Sequence, residues 1–172
     1  MADLDAPILI APYGSTWPGL FESERNLLKD LLAQWLVGPI EHIGSTAVPG
    51  MPAKPVIDIM AAVKDLDSSQ GAIPILETAK YCYAPYGADV QHWFCKPQPS
   101  ARTHHLHLVP FTSTLWNETL IFRDCLRREP ATAQRYIDLK LRLAQVHRTD
   151  REAYTRGKTA FIVSVVQGAR GQ

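Results

Sequence analysis

Between Ile40 and Val63 the sequence sets a Gly-Ser turn at Gly44-Ser45-Thr46, a lysine at Lys54 and a carboxylate at Asp58 between two apolar runs. Ile40 and Ile43 read as a short strand that stops at Gly44. A serine after a strand-ending glycine can offer its hydroxyl and its amide to an anion, so Gly44, Ser45 and Thr46 are predicted to cradle phosphate. Pro49, Gly50, Pro52 and Pro55 forbid a regular helix over the next stretch and favour a stiff return that carries Lys54 toward the following strand. There Lys54 supplies a compact positive charge. Val56 to Val63 is apolar and β-rich apart from Asp58, and a lone carboxylate in such a run is costly unless cations or hydrogen-bond donors hold it ionised. Asp58 is therefore expected to face a cavity shared with Ser45 and to be the oxygen ligand of a metal that accompanies the phosphate.

A second group lies in Arg102-Thr103-His104-His105-Leu106-His107-Leu108. Strand alternation puts His104 with Leu106 and Leu108, and projects His105 and His107 from the opposite face. If the leucines meet the core, the two histidines line an open surface, either as an uncharged polar wall for substrate or as half of a transition-metal site. A metal site needs a third ligand, for which His42 beside the turn and His92 are candidates. Arg102 leads into this strand and can grip a polyphosphate with its planar fork, where the bland alternative is a solvated strand-edge cation. Lys158 follows Tyr154 by four residues on one helix face, so Tyr154 is expected to pack while Lys158 reaches out along it toward ligand. Tyr136 and Lys140 repeat that spacing one helix earlier and read the same way, whereas Arg123 beside Asp124 reads as structural.

These residues need elements to hold them. Ser15 and Thr16 precede Trp17-Pro18, and apolar residues recur at Leu20/Phe21, Leu27/Leu28, Leu31/Leu32 and Trp35/Leu36, which predicts an amphipathic helix ended by Gly38-Pro39. Strands follow up to Gly44 and over Val56–Val63, then a helix over Gln70–Lys80 with Pro74 in its first turn. Short strands are expected at Tyr81–Tyr83, His92–Lys96 and Thr103–Val109, separated by turn-rich Pro85-Tyr86-Gly87 and Pro97-Gln98-Pro99-Ser100. Helices then fill Ser113–Glu129, Pro130–His147 and a segment from a capping box at Thr149 and Glu152 to about Gln167. Strands in the centre with helices at both ends predict an α+β domain over residues 1–172, with a mixed sheet flanked by an N-terminal helix and C-terminal helices.

Composition narrows the function classes. With 18 Lys plus Arg against 17 Asp plus Glu, no overall field draws the chain to nucleic acid or a membrane. Cys82, Cys95 and Cys125 are scattered and outside any C-x-x-C spacing, which argues for reduced, packed thiols. The start Met1-Ala2-Asp3-Leu4-Asp5 is acidic where a signal peptide is basic, and no apolar run reaches spanning length, so a cytoplasmic location is expected. The four tryptophans are spread out rather than interleaved with a basic stripe, unlike a nucleic-acid stacking platform. Ser-His-Asp, Cys-His and Walker-type patterns are absent.

The block from Glu41 to Ile59, E-H-I-G-S-T-A-V-P-G-M-P-A-K-P-V-I-D-I, resembles that of the GrpB family, within the nucleotidyltransferase-like superfamily. Tyr13 with Trp17-Pro18 and Phe21, the His105-Leu106-His107 strand, Phe122-Arg123-Asp124, Tyr136 with Lys140, and Tyr154 with Lys158 fall in the family's order, so nearly the whole chain is covered. The resemblance implies a nucleotidyltransferase fold in which the Gly-Ser turn and an Asp-x-Asp or Asp-x-Glu strand hold a nucleotide with Mg²⁺. Here Met60 stands where the second acid belongs, and a thioether cannot supply the hard oxygen ligand that Mg²⁺ requires. Three readings stay open. The first is transfer of a nucleoside monophosphate from a nucleoside triphosphate to a small-molecule or protein acceptor, with Ser45 and Lys54 on phosphates and Asp58 on Mg²⁺. The second is a non-catalytic nucleotide- or coenzyme-binding module. The third is a metal-dependent enzyme built on Asp58, His105 and His107.

Overall fold

The computed structural model describes residues 7–171, so the acidic start at Met1–Asp5 lies outside the described residues. Helix α1 (Trp17–Leu31) leads into β1 (Leu36–Ile43), a single 3₁₀ turn (Ser45–Ala47) and β2 (Ile57–Val63). Then come α2 (Leu66–Ser69), α3 (Ala72–Thr78), β3 (Cys82–Ala84), β4 (His92–Gln98) and β5 (Ala101–Pro110). Helices α4 (Thr114–Arg128), α5 (Pro130–Val146) and α6 (Arg151–Arg170) complete the α+β architecture. The strands form one mixed sheet in the order β1-β2-β5-β4-β3, in which only β2 and β5 run parallel. No described helix is long and apolar enough to cross a membrane.

Period-two alternation divides the sheet into two faces with different neighbours. Ile57, Ile59, Ala61 and Val63 of β2, with Leu106 and Leu108 of β5 and Phe94 of β4, meet Trp17, Phe21, Leu28 and Leu32 of the first helix and its exit. Fully burying a Leu or Ile contributes about 1.5–3 kcal/mol, so this layer holds most of the core. On the other face Met60, Ala62 and Val109 pack with Ile43 against Trp116 of α4. Farther along that face the apolar cover stops at Asp58, His105 and His107. The C-terminal helices close on each other and on the loop after the turn through Val48, Met51, Leu126 and Tyr136.

Several boundaries differ from those read in the sequence, among them β4, which continues through Pro97-Gln98 of the expected turn, and β5, which already begins at Ala101. The first helix ends at Leu31, and Leu36 already pairs with Val63, so Gly38-Pro39 lies inside β1 rather than before it. An edge strand tolerates Pro39 because its missing N–H costs no ladder bond, and the register shifts between Leu36 and Ile40 to accommodate it. The expected Gln70–Lys80 helix begins earlier and in two pieces, with Asp65 capping α2 through Ser68 N at 2.7 Å. The cap of α6 is Asp150, which accepts from Ala153 N at 2.9 Å, in place of the Thr149 capping box. Cys82, Cys95 and Cys125 are free thiols.

A buried polar junction ties α1 to the sheet. Glu24, 8% exposed, accepts from Tyr81 Oη at 2.8 Å and from Lys96 Nζ at 2.7 Å on the leucine face. His104, on that same face as the alternation requires, reaches to 4.0 Å from the Glu24 carboxylate. Removing one member of such a pair strands the other away from water. Glu24→Ala is expected to cost about 3 kcal/mol in urea unfolding, and Glu24→Ala/Lys96→Met to recover part of it. A wild-type midpoint for Glu24→Ala would show that the junction carries no stability.

Candidate functional site

The carboxylate on β2 is the residue most constrained by its neighbours. Asp58 and His105 face each other in the parallel ladder, and His105 Nδ1 donates to Asp58 Oδ1 at 2.8 Å. Burial pushes the Asp58 carboxyl up, but the His105 hydrogen bond and the charges of the two histidines and Lys54 outweigh it, leaving the group below the ordinary carboxylate value. It stays ionised. Gly44 turns with φ +71°, and a Cβ there would stand 2.5 Å from Asp58 Oδ2. Glycine is thus required twice over, by conformation and by the approach of the carboxylate.

Asp58 opens into a cavity of about 540 Å³ bounded by the Gly-Ser turn, the return loop, β5 and the C-terminal helices. Ser45, Thr46, Lys54, Arg102, His105, His107 and Lys158 all line it, as the sequence reading expects. His107 Nδ1 donates to Gln91 Oε1 at 2.7 Å, and burial drives its pKa down to about 4, so it is a neutral wall. Arg102 donates through Nε to Pro99 O at 2.8 Å and lays its guanidinium over the Trp93 ring at 5.4 Å. Lys54 and Lys158 place their ammonium groups 5.1 and 4.5 Å from the centre of the buried Tyr154 ring. Tyr154 packs and Lys158 extends, as the i, i+4 spacing indicates.

Three expected members fall outside the lining: Gly44, which lies against Asp58, and two histidines. His42 is buried behind the turn, flat on Phe21 at 4.7 Å with Nε2 2.9 Å from Thr46 Oγ1, and burial lowers its pKa to about 4. It braces the turn instead of touching ligand. His92 donates to Leu66 O at 2.9 Å. Neither supplies the third ligand of a histidine metal site, and among the described residues no group of three or more His, Cys, Asp or Glu is placed to hold a metal ion.

Lys140, which repeats the spacing of Lys158 one helix earlier, also lines the cavity. It is 2% exposed and donates to Ser45 Oγ at 3.0 Å and Pro52 O at 2.6 Å, so its ammonium sits at the back of the Gly-Ser turn. Burial, with the charge of Lys158, lowers its pKa to about 7, and burial with Lys54 lowers that of Lys158 to about 8. The signal in the sequence was the Tyr-x-x-x-Lys spacing repeated on two successive helices. Arg151, Glu152 and Thr155 of α6 also line the cavity, as do Tyr86 and Trp93 at the far side, and none of these stood out in the sequence. Arg123, by contrast, binds Glu41 Oε2 at 2.6 Å, His42 O and Asp124, locking α4 to β1.

A Mg²⁺ ion held by strand carboxylates is what the nucleotidyltransferase resemblance implies, and the donor set does not fit it. Asp58 already accepts from His105, and Met60, in the place of the second acid, is 1% exposed beneath Trp116. What the cavity concentrates is positive charge.

Sheet, turn and helices together define a nucleotidyltransferase-like fold: the Cid1 poly(U) polymerase superposes with a TM-score of 0.51 at 9% identity, over 77% of this chain and 45% of that one. Within that fold the chain belongs to the GrpB family, whose pattern, described as GrpB protein, it matches over residues 7–168. It is 37% identical over 166 residues to UPF0157 protein PA4798 of Pseudomonas aeruginosa, covering 94% of this chain and 67% of that one. It is 31% identical to the glutamate-rich protein GrpB of Alkalihalophilus pseudofirmus, covering 92% and 94%. The crystal structure of GrpB from Enterococcus faecalis superposes with a TM-score of 0.83 at 34% identity, over 94% and 96% of the two chains.

The lysines give the cavity a testable pH response. With pKa values of about 7 and 8, Lys140 and Lys158 lose their protons over the range in which sulfate keeps a constant charge. A bound anion favours both ammonium forms, so binding takes up protons and affinity falls as pH rises from 7 to roughly 9, by at most about tenfold per unit per lysine. Calorimetry with sulfate in buffers of different ionisation enthalpy measures this uptake. A pH-independent affinity would mean that neither lysine meets the anion.

Proposed function

We propose that the cavity binds a nucleoside triphosphate, or a coenzyme with the same polyphosphate, and that the chain transfers the nucleoside monophosphate to a small-molecule or protein acceptor. The observation that carries this reading is the polarity of the cavity. Lys140 at Ser45, with Lys54 and Lys158 over the Tyr154 ring, gives the cavity its ammonium groups, and Trp93 under Arg102 with Tyr86 gives it flat surfaces. Ammonium groups suit phosphates, and aromatic faces suit a base.

In this reading the acceptor hydroxyl attacks the α-phosphorus, the bond to the bridging oxygen breaks, and pyrophosphate leaves onto the lysines. The hydroxyl proton passes to the Asp58–His105 pair. His105 Nε2 is buried without a hydrogen-bond partner, a nitrogen that Nδ1 donation to Asp58 leaves as the acceptor. Positioning and charge stabilisation supply most of the catalysis in phosphoryl-type transfer. The burial of Met60 beneath α4 favours a second reading, a module that binds the same ligand without turnover.

Nucleoside triphosphate is expected to raise the melting temperature, since ligand at a hundred times its dissociation constant adds about 2.7 kcal/mol. Lys54→Ala should abolish most of the shift, and the parent nucleoside should give little. Unchanged melting with every nucleotide at millimolar concentration sinks the reading. Pyrophosphate release that disappears in His105→Ala, with binding retained, separates enzyme from module.

A further inference from the structure

The basic side chains around the cavity are Lys54, Arg102, Lys140, Arg151 and Lys158, against the carboxylates Asp58 and Glu152. Lys140 is the most demanding of them. Its ammonium is almost wholly buried and has only neutral oxygens, Ser45 Oγ and Pro52 O, as hydrogen-bond acceptors. A buried cation so placed is relieved by an anion arriving at Ser45. A divalent ion arriving with that anion meets the reverse situation. One Asp58 oxygen holds His105, the other lies against the Gly44 backbone, and the next inward position on β2 is a methionine sealed under tryptophan. His107 cannot compensate through Nδ1, which is committed to Gln91.

We infer that the site takes its polyphosphate as the free anion, with lysine and arginine side chains in the place of a divalent metal, so that Mg²⁺ is dispensable for binding and competes with the protein for the phosphates. This rests on the nucleotide reading above and adds the ionic form of the ligand. The chemistry is consistent on both sides. A hard divalent ion asks for oxygen ligands in octahedral geometry, which the site does not assemble. A free triphosphate asks for several cations on different sides, which it does.

The test is titration calorimetry of ATP into the full chain, once in excess EDTA and once in excess Mg²⁺ at equal ionic strength. The expected result is binding in EDTA with a dissociation constant equal to or below that in Mg²⁺. Lys158→Ala, on the partly open side of the cavity, should weaken binding more in EDTA than in Mg²⁺. Binding that appears only with Mg²⁺ overturns the inference and leaves the nucleotide reading standing. No binding in either condition overturns both. A Lys158→Ala variant that loses affinity equally in the two conditions also counts against the inference, because the lysine would then not be substituting for the ion. If Lys158→Ala fails to fold, Lys54→Ala, on the return loop, provides the same comparison.

Discussion

The hydrogen bond from His105 to Asp58 is the constraint on which the rest of the site depends. An acid in the middle of an otherwise apolar strand must be held ionised or neutralised, and the imidazole directly opposite in the parallel ladder donates to it. That fixes the register of β2 against β5, since a slip of one residue would turn His105 into the leucine core and bring His104 to the acid. It also fixes the turn. With the carboxylate pressed on Gly44, any side chain there would collide with it, so the strand-ending glycine and the strand carboxylate are one structural unit although fourteen positions separate them.

The helices complete what the sheet begins, at a cost to stability. Tyr136 and Lys140 come from α5, Tyr154 and Lys158 from α6, and both pairs hang over the turn. Burying the Lys140 ammonium against neutral acceptors disfavours its charged form, which is why its pKa falls. A fold selected for stability alone would place leucine or methionine there. The ring of Tyr136 at 5.0 Å softens the penalty without removing it. The tension is local and aimed at the turn.

Much of this was legible in the chain because the determinants are local. Alternation alone separated His104 from His105 and His107, and the cost of a lone acid in an apolar strand alone put Asp58 on the cavity side. The proline-rich return carried Lys54 to the site as its stiffness suggests. What could not be read depends on contacts between distant elements. His42 looks like a ligand because it sits beside the turn, and only the packing of Phe21 from α1 shows that it faces backwards. Lys140 reads no differently from Lys158 until α5 is docked on the turn and buries it against Ser45. Gly38-Pro39 reads as a helix stop, and only its place on an edge strand explains why pairing continues through it.

Likeness to a polymerase at 9% identity fixes the arrangement of strands and leaves the chemistry to the side chains. Those side chains depart from a metal cage in a consistent direction. The second acid is replaced by a methionine drawn into the core under α4, and the neighbouring strand presents histidines where a further acid would serve. Neither a thioether nor an imidazole is a hard oxygen ligand. On the reading proposed above, the lysines on α5 and α6 take over the neutralising task that an ion performs elsewhere. On that reading the missing metal ligands and the buried cations are two aspects of one substitution, since the negative charge of a polyphosphate has to be met from some direction.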